Sequence, residues 1–137
     1  MQKLIADIIK KGYINKSLIH NSVEKEDKNF QRLEFLGDKI LTSKISIMLF
    51  QFFVFADEKI LSQSYQRIVS NKNLASLAKK LNIQNYIKCT GKVTEGILSD
   101  TMEAIIGELY INKRENELQK IFSWMIYTTV FENARVL

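Results

Sequence analysis

The 137-residue chain has no proline, one cysteine (Cys89), one histidine (His20) and five glycines, and no apolar run of membrane length. Without proline, nothing in the chain interrupts a helix for want of a backbone N–H. With Leu, Ile, Lys and Asn dominant and the glycines scattered, a helical bundle is favoured over sheet. A lone cysteine excludes an internal disulfide and a multi-cysteine metal site, and it fits a reducing compartment. The longest apolar runs, Ile45 to Ala56 and Ile121 to Phe131, are broken by Ser46, Gln51, Ser123 and Thr128. Both fall short of the ~20 residues that span a bilayer, so no membrane anchor is expected. The opening MQKLIADIIKKG carries Asp7 and no small-residue cleavage site, which argues against a secretion signal. A cytoplasmic protein of one domain, residues 1–137, is the expectation.

Acidic residues are missing from one long stretch. From Lys59 to Lys92 the chain carries Lys59, Arg67, Lys72, Lys79, Lys80, Lys88 and Lys92 and no Asp or Glu. Removing those seven charges from the net +5 leaves the remainder at −2. A chain divided in this way presents a cationic region beside an acidic one, the electrostatic footprint of a polyanion-binding surface.

What is present reads as an all-α array. Leu4, Ile5, Ile8 and Ile9 suggest a first helix ending near Gly12, and Ser17 to Ser22 a second short helical turn. Val23 to Asn29 is a charged connector. A long helix from about Phe30 runs into the phenylalanine-rich stretch Leu49 to Phe55, followed after a break by a helix over Ile60 to Val69. Ser70 or Asn71 can cap the next, whose Leu74, Leu77, Ala78 and Leu81 keep i, i+3, i+4, i+7 spacing. A loop around Thr90 to Gly96 leads to a helix from Leu98 to about Ile111, and a last helix covers Leu118 to Phe131.

Two of these helices carry acids inside their apolar pattern. In RLEFLGD, Glu34 and Asp38 are i, i+4 around Gly37; in LSDTMEAIIGELYI, Asp100 and Glu103 are i, i+3, with Gly107 one turn later. Each pair shares one helix face, where like charges disfavour one another by ~0.2–0.5 kcal/mol. A glycine in a helix interior costs ~1 kcal/mol against alanine, so its presence signals a close approach of another backbone. If the two helices cross at their glycines, four carboxylates converge, and only a hard cation with a preference for oxygen ligands makes that stable. Magnesium fits best, because it keeps several waters and takes few carboxylates. A redox di-iron bundle would need a Glu-x-x-His on each of two helices, and His20 stands in no such motif. An oxygen-only magnesium cluster beside a basic surface points to phosphodiester hydrolysis, in which two ions roughly 3.5–4 Å apart act on water and leaving group and no side-chain nucleophile is required.

At the level of motifs, FQRLEFLGDKIL (Phe30 to Leu41) closely resembles the signature of the ribonuclease III endonuclease domain. LSDTMEAIIGELYI resembles that family's second acidic motif, and LIHNS, DEKILS and IVSNKNLASLAKKL fall between in the family's order. The resemblance implies an all-α domain that homodimerises through the signature helix and holds double-stranded RNA in a valley. Each protomer would cut one strand, leaving 5′-phosphate and 3′-hydroxyl ends. It assigns Glu34, Asp38, Asp100 and Glu103 as catalytic ligands of Mg2+, with Mn2+ as a possible substitute. It also assigns Gln31, Glu58, Arg67, Asn71 and Lys72 to RNA contact, and Phe35 to the dimer interface. An aromatic between two acids, off the main apolar stripe, needs such a covering partner.

The chain also departs from the family's pattern. Gln31 stands where most members have an acid, Lys59 where a glycine is usual, and Tyr65 at an often basic position, so substrate contacts are altered while the metal set is not. The double-stranded RNA-binding domain that commonly follows has no counterpart in the 26 residues after Ile111 (137 less 111). Either this is the nuclease domain alone, or RNA affinity comes from its own valley or from a separate RNA-binding subunit. Two other readings remain at this point: a non-catalytic RNA-binding or scaffold homologue, and a general polyanion-binding helical protein.

Overall fold

The computed structural model describes residues 1–23 and 28–132; residues 24–27 of the expected charged connector, and residues 133–137, lie outside the described residues. Six α-helices follow in order: α1 (Gln2–Lys10), α2 (Asn29–Phe52), α3 (Glu58–Val69), α4 (Asn71–Lys80), α5 (Glu95–Ile111) and α6 (Glu115–Tyr127). Short 3-10 turns occupy Lys16–Leu18 and Ile83–Asn85, and π-helical turns carry the chain on from α6 over Thr128–Glu132. Among the described residues there is no strand, only an isolated bridge between Ile19 and Lys88. The all-α expectation holds.

The helix starts follow from capping. Asp57 accepts from the Ile60 N–H, Ser70 from Asn73 and Thr94 from Ile97, each side chain satisfying an N–H that the first turn leaves free. Those caps explain why α3 begins at Glu58 and α5 at Glu95, earlier than the apolar periodicity alone suggests. One other expectation needs correcting. Only Lys16–Leu18 of the second segment is helical, because Ile19 turns extended and His20 N–H bonds the Lys88 carbonyl. As expected, α2 runs into the phenylalanine-rich stretch: it stops within it at Phe52, Phe53 turns inward to stack on Phe131, and Phe52, Val54 and Phe55 stay exposed.

At the centre lies α5. Leu98, Ser99 and every residue from Thr101 to Leu109 are buried, so this helix is covered on all sides, unlike the one-sided helices around it. Helix α2 lies directly against it, and α4 packs alongside. The core joins Leu41, Ile45 and Leu49 of α2 and Leu74, Leu77 and Ala78 of α4 to Met102, Ile105 and Ile106 of α5, with Ile121, Phe122 and Met125 of α6 closing one side.

Two glycines set the α2–α5 distance. A Cβ added to Gly37 would overlap the Glu103 carbonyl oxygen and come within 3.0 Å of the Gly107 nitrogen. A Cβ on Gly107 would overlap the Leu33 carbonyl oxygen. In both directions the obstacle is backbone, which cannot rotate aside as a side chain can. Overpacking a core by a methyl typically costs ~1–3 kcal/mol, and a clash with rigid backbone belongs at or above that range. Gly37→Ala is therefore expected to lose ~3 kcal/mol or more of stability in urea or thermal unfolding, while Gly96→Ala, which meets only the Thr94 hydroxyl at 3.8 Å, changes it little. Equal stability in both variants would show that the helices are not in backbone contact.

Candidate metal centre

The glycine crossing brings the acids of α2 and α5 together. Glu34, Asp100 and Glu103 each offer a carboxylate oxygen to one group whose atoms all lie within 4.8 Å of one another. Asp38 stands next to Glu103, on the rim: its side chain is 48% exposed and pairs with Lys39 at 3.3 Å. Glu103 is buried, and Glu34 and Asp100 are half-buried.

The electrostatics show how poorly the protein alone tolerates this arrangement. Burial, then the charge of Asp100 and a hydrogen bond shared with it, then the charge of Asp38, push the Glu34 carboxyl up to about 7. Burial, then a hydrogen bond and the charge of Asp38, then the charges of Glu34 and Asp100, push Glu103 up to about 8. A hydrogen bond between two carboxyls needs a proton on one of them, so the same closeness that raises these groups also favours a cation among them. The donor set fits a hard divalent ion: it is all oxygen, close enough to share a ligand, and partly desolvated. Glu34, Asp100 and Glu103 would hold the ion, with Asp38 beside them.

The other residues singled out from the sequence are all exposed. Gln31 lies one turn before Glu34 on α2. It lines a cavity of about 870 Å³ together with Leu33, Phe35, Leu36 and Ile111. Phe35 itself is 67% exposed. Asn71 and Lys72 open α4, and Asn71 is tied to α5, accepting a hydrogen bond from Ser99 next to Asp100. Arg67 is at the end of α3. Glu58 opens α3 and accepts from Ser62 at 2.7 Å; Ser62 lines a groove with Leu49 and Phe50 at the far end of α2. Sixteen residues separate Glu34 from Phe50, about 24 Å of helix, so Glu58 does not join the acidic cluster within one chain.

His20 is structural, as its isolation in the sequence suggests. Its Nδ1 contacts the Ser22 hydroxyl at 2.9 Å and accepts from the Ser22 N–H, and its ring meets Phe30 edge-on at 5.0 Å. Sequence reasoning missed Glu108. Buried on α5, it accepts hydrogen bonds from the backbone N–H groups of Asn15, Lys16 and Ser17 and from the Ser17 hydroxyl, at 2.8–3.2 Å. The available signal was a further acid inside the apolar run AIIGELYI.

The chain matches the family model described as Ribonuclease-III-like over residues 11–130. It is 36% identical over 111 residues to Ribonuclease 3 of Francisella tularensis (strain SCHU S4), a match covering 77% of this chain and 47% of that protein. To Ribonuclease 3 of Shewanella pealeana it is 36% identical over 122 residues, covering 83% and 53%. The chain thus spans about half the length of these curated relatives. Two solved structures of the nuclease domain of ribonuclease III from Campylobacter jejuni resemble it. One, which concerns structural flexibility in a region involved in dimer formation, has a TM-score of 0.78 at 30% identity and covers 93% of this chain and 96% of that one. The other has a TM-score of 0.73 at 32% identity, covering 84% and 82%.

The raised carboxyls give the site a pH signature. A carboxyl whose folded pKa lies above its unfolded value binds protons more tightly when folded. Its stabilisation is complete below the unfolded pKa near 4.5 and is lost as pH rises through about 7 and about 8. In EDTA the melting temperature is therefore expected to fall between about pH 6 and about pH 8.5. Saturating Mg2+ should raise it more at the higher pH, since the ion takes the deprotonated ligands. A metal-induced shift that is equal at both pH values would dissociate the cluster from metal binding.

Proposed function

The chain belongs to the Ribonuclease-III-like family, and from that membership we propose that residues 1–137 form one nuclease domain, a Mg2+-dependent endoribonuclease for double-stranded RNA that works as a homodimer in the cytoplasm. Each protomer cleaves one strand, leaving a 5′-phosphate and a 3′-hydroxyl; Mn2+ substitutes for Mg2+. The observation that carries this reading is the convergence of Glu34, Asp100 and Glu103 within 4.8 Å, from two separate stretches of sequence.

Held by Glu34, Asp100 and Glu103, with Asp38 beside them, divalent metal would supply an activated water and stabilise the departing oxygen. The chain's own part is to hold oxygen ligands at fixed spacing. The backbone contact at Gly37 and Gly107 leaves Glu34 and Glu103 little freedom to separate. Their partial burial excludes competing water and strengthens their hold on a cation. No side chain has to act as nucleophile, in keeping with the engagement of His20 by Ser22 and Phe30.

Substrate contact falls to exposed groups around this centre. Arg67 and Lys72, within the acid-free stretch, bind phosphates, and the amides of Gln31 and Asn71 supply uncharged donors. Glu58, remote from the cluster, accepts from a 2′-hydroxyl further along the duplex; A-form RNA is recognised by shape and by these hydroxyls. Much of the affinity is electrostatic and weakens steeply with salt, so a separate RNA-binding subunit or further domain would add to it. Phe35 supports the dimer: a largely exposed aromatic beside a cavity that Leu33, Leu36 and Ile111 also line, with the Lys39 ammonium 5.5 Å over its ring, is an anchor for a second protomer.

Two experiments test this. On a perfect RNA duplex the parent protein should cut with Mg2+ and not with EDTA. Glu103→Ala should lose about a thousandfold or more in rate, the equivalent of several kcal/mol of charge stabilisation, while binding is largely kept. Cleavage by Glu103→Ala at the parental rate would end the assignment of the site. For assembly, sedimentation of Phe35→Ala is expected to show a shift from dimer to monomer, and an undiminished dimer would remove Phe35 from the interface.

A further inference from the structure

We infer that Ser99 is a positioning residue for substrate binding: its hydroxyl donates to the Asn71 side-chain carbonyl and so turns the Asn71 amide nitrogen toward the RNA. The inference rests on the reading of this site as one for duplex RNA.

Ser99 sits in the second turn of helix α5, 1% exposed, between Leu98 and Asp100. A hydroxyl in that setting normally returns to the carbonyl four residues back, as Thr101 does with Ile97 at 2.7 Å. Ser99 instead reaches across to α4 and meets Asn71 Oδ1 at 3.1 Å. A carboxamide has an acceptor end and a donor end of nearly the same shape, so an isolated asparagine presents either to a ligand. In this structure the oxygen is the end that meets the buried hydroxyl, which leaves the nitrogen as the outward end. The Asn71 amide nitrogen then faces away from α5 and has no partner among the described residues, although Asn71 is exposed.

The other asparagine of the same helical turn shows the contrast. Asn73 spends its amide nitrogen on the Ile68 carbonyl at 2.8 Å and the Thr129 hydroxyl at 2.9 Å, holding α4 to its neighbours. Of the two amides, one is consumed by the fold and the other is oriented and left available. Phosphate oxygens only accept hydrogen bonds, so an Asn71 with its carbonyl outward would repel them and one with its nitrogen outward would bind them. Asn71 is thereby tied to α5, the helix that also carries Asp100 and Glu103.

A double-mutant cycle tests this on the whole chain. Parent, Asn71→Ala, Ser99→Ala, the double variant and Ser99→Thr are compared on one RNA duplex by KM and kcat with Mg2+, by binding with Ca2+, and by melting temperature. Expected is a rise in KM and in the dissociation constant of about 3- to 10-fold for each single variant, the range of one hydrogen bond. The double variant should be no worse than Asn71→Ala alone. The kcat should stay within about twofold, and Ser99→Thr, which keeps the hydroxyl, should bind like the parent. A purely structural serine would lower the melting temperature and leave affinity unchanged. Parental affinity in Ser99→Ala, additive losses in the double variant, or no effect of Asn71→Ala would each overturn the inference while leaving the nuclease reading intact. A parent protein that neither binds nor cuts duplex RNA would defeat both.

Discussion

Backbone-to-backbone contact between α2 and α5 is the constraint on which the rest of this structure depends. Gly37 and Gly107 remove the two Cβ atoms that would hold the helices apart, and the neighbouring acids are drawn in with the backbone that carries them. Contact this close is costly in sequence terms, since glycine weakens each helix and each position admits no other residue. In return it places carboxylates from two helices at a separation that longer side chains on more distant helices would not reproduce.

The same contact creates an electrostatic liability. Glu34 and Glu103 are held where desolvation and neighbouring carboxylates oppose their charge, and the fold tolerates this because α5 is buried all round by Leu, Ile and Met side chains. Stability comes from the apolar body of the domain, and the acidic centre draws on it. Holding acids where burial opposes their charge is the usual trade between stability and activity.

Much of this was legible in the sequence because the decisive signals were local. Glycines and acids inside helical apolar patterns announced both the crossing and the cluster, and Ser70 marked the start of α4. What was hidden depended on tertiary surroundings. The burial of α5 from Leu98 to Leu109 has no simple periodic signature, since apolar residues there fall on every face. Glu108 looked like one more acid, yet its partners at Asn15 to Ser17 are some ninety residues away in sequence. Ser99 is an unremarkable residue type, and only the packing of α4 on α5 gives it a role. The stopping point of α2 inside the phenylalanine run was hidden too, because the apolar residues continue past Phe52, where Phe53 turns inward toward Phe131.

Glu108 carries a mechanical consequence. By gripping the backbone of Asn15 to Ser17, it fastens a wall of the cavity beside Phe35 to the helix that bears Asp100 and Glu103. Phe35 and Glu34 are in turn neighbours on α2. The exposed aromatic and the carboxylate pocket are thus carried by the same two backbones, touching through Gly37 and Gly107, so a load on Phe35 is borne by the helices that position Glu34 and Glu103.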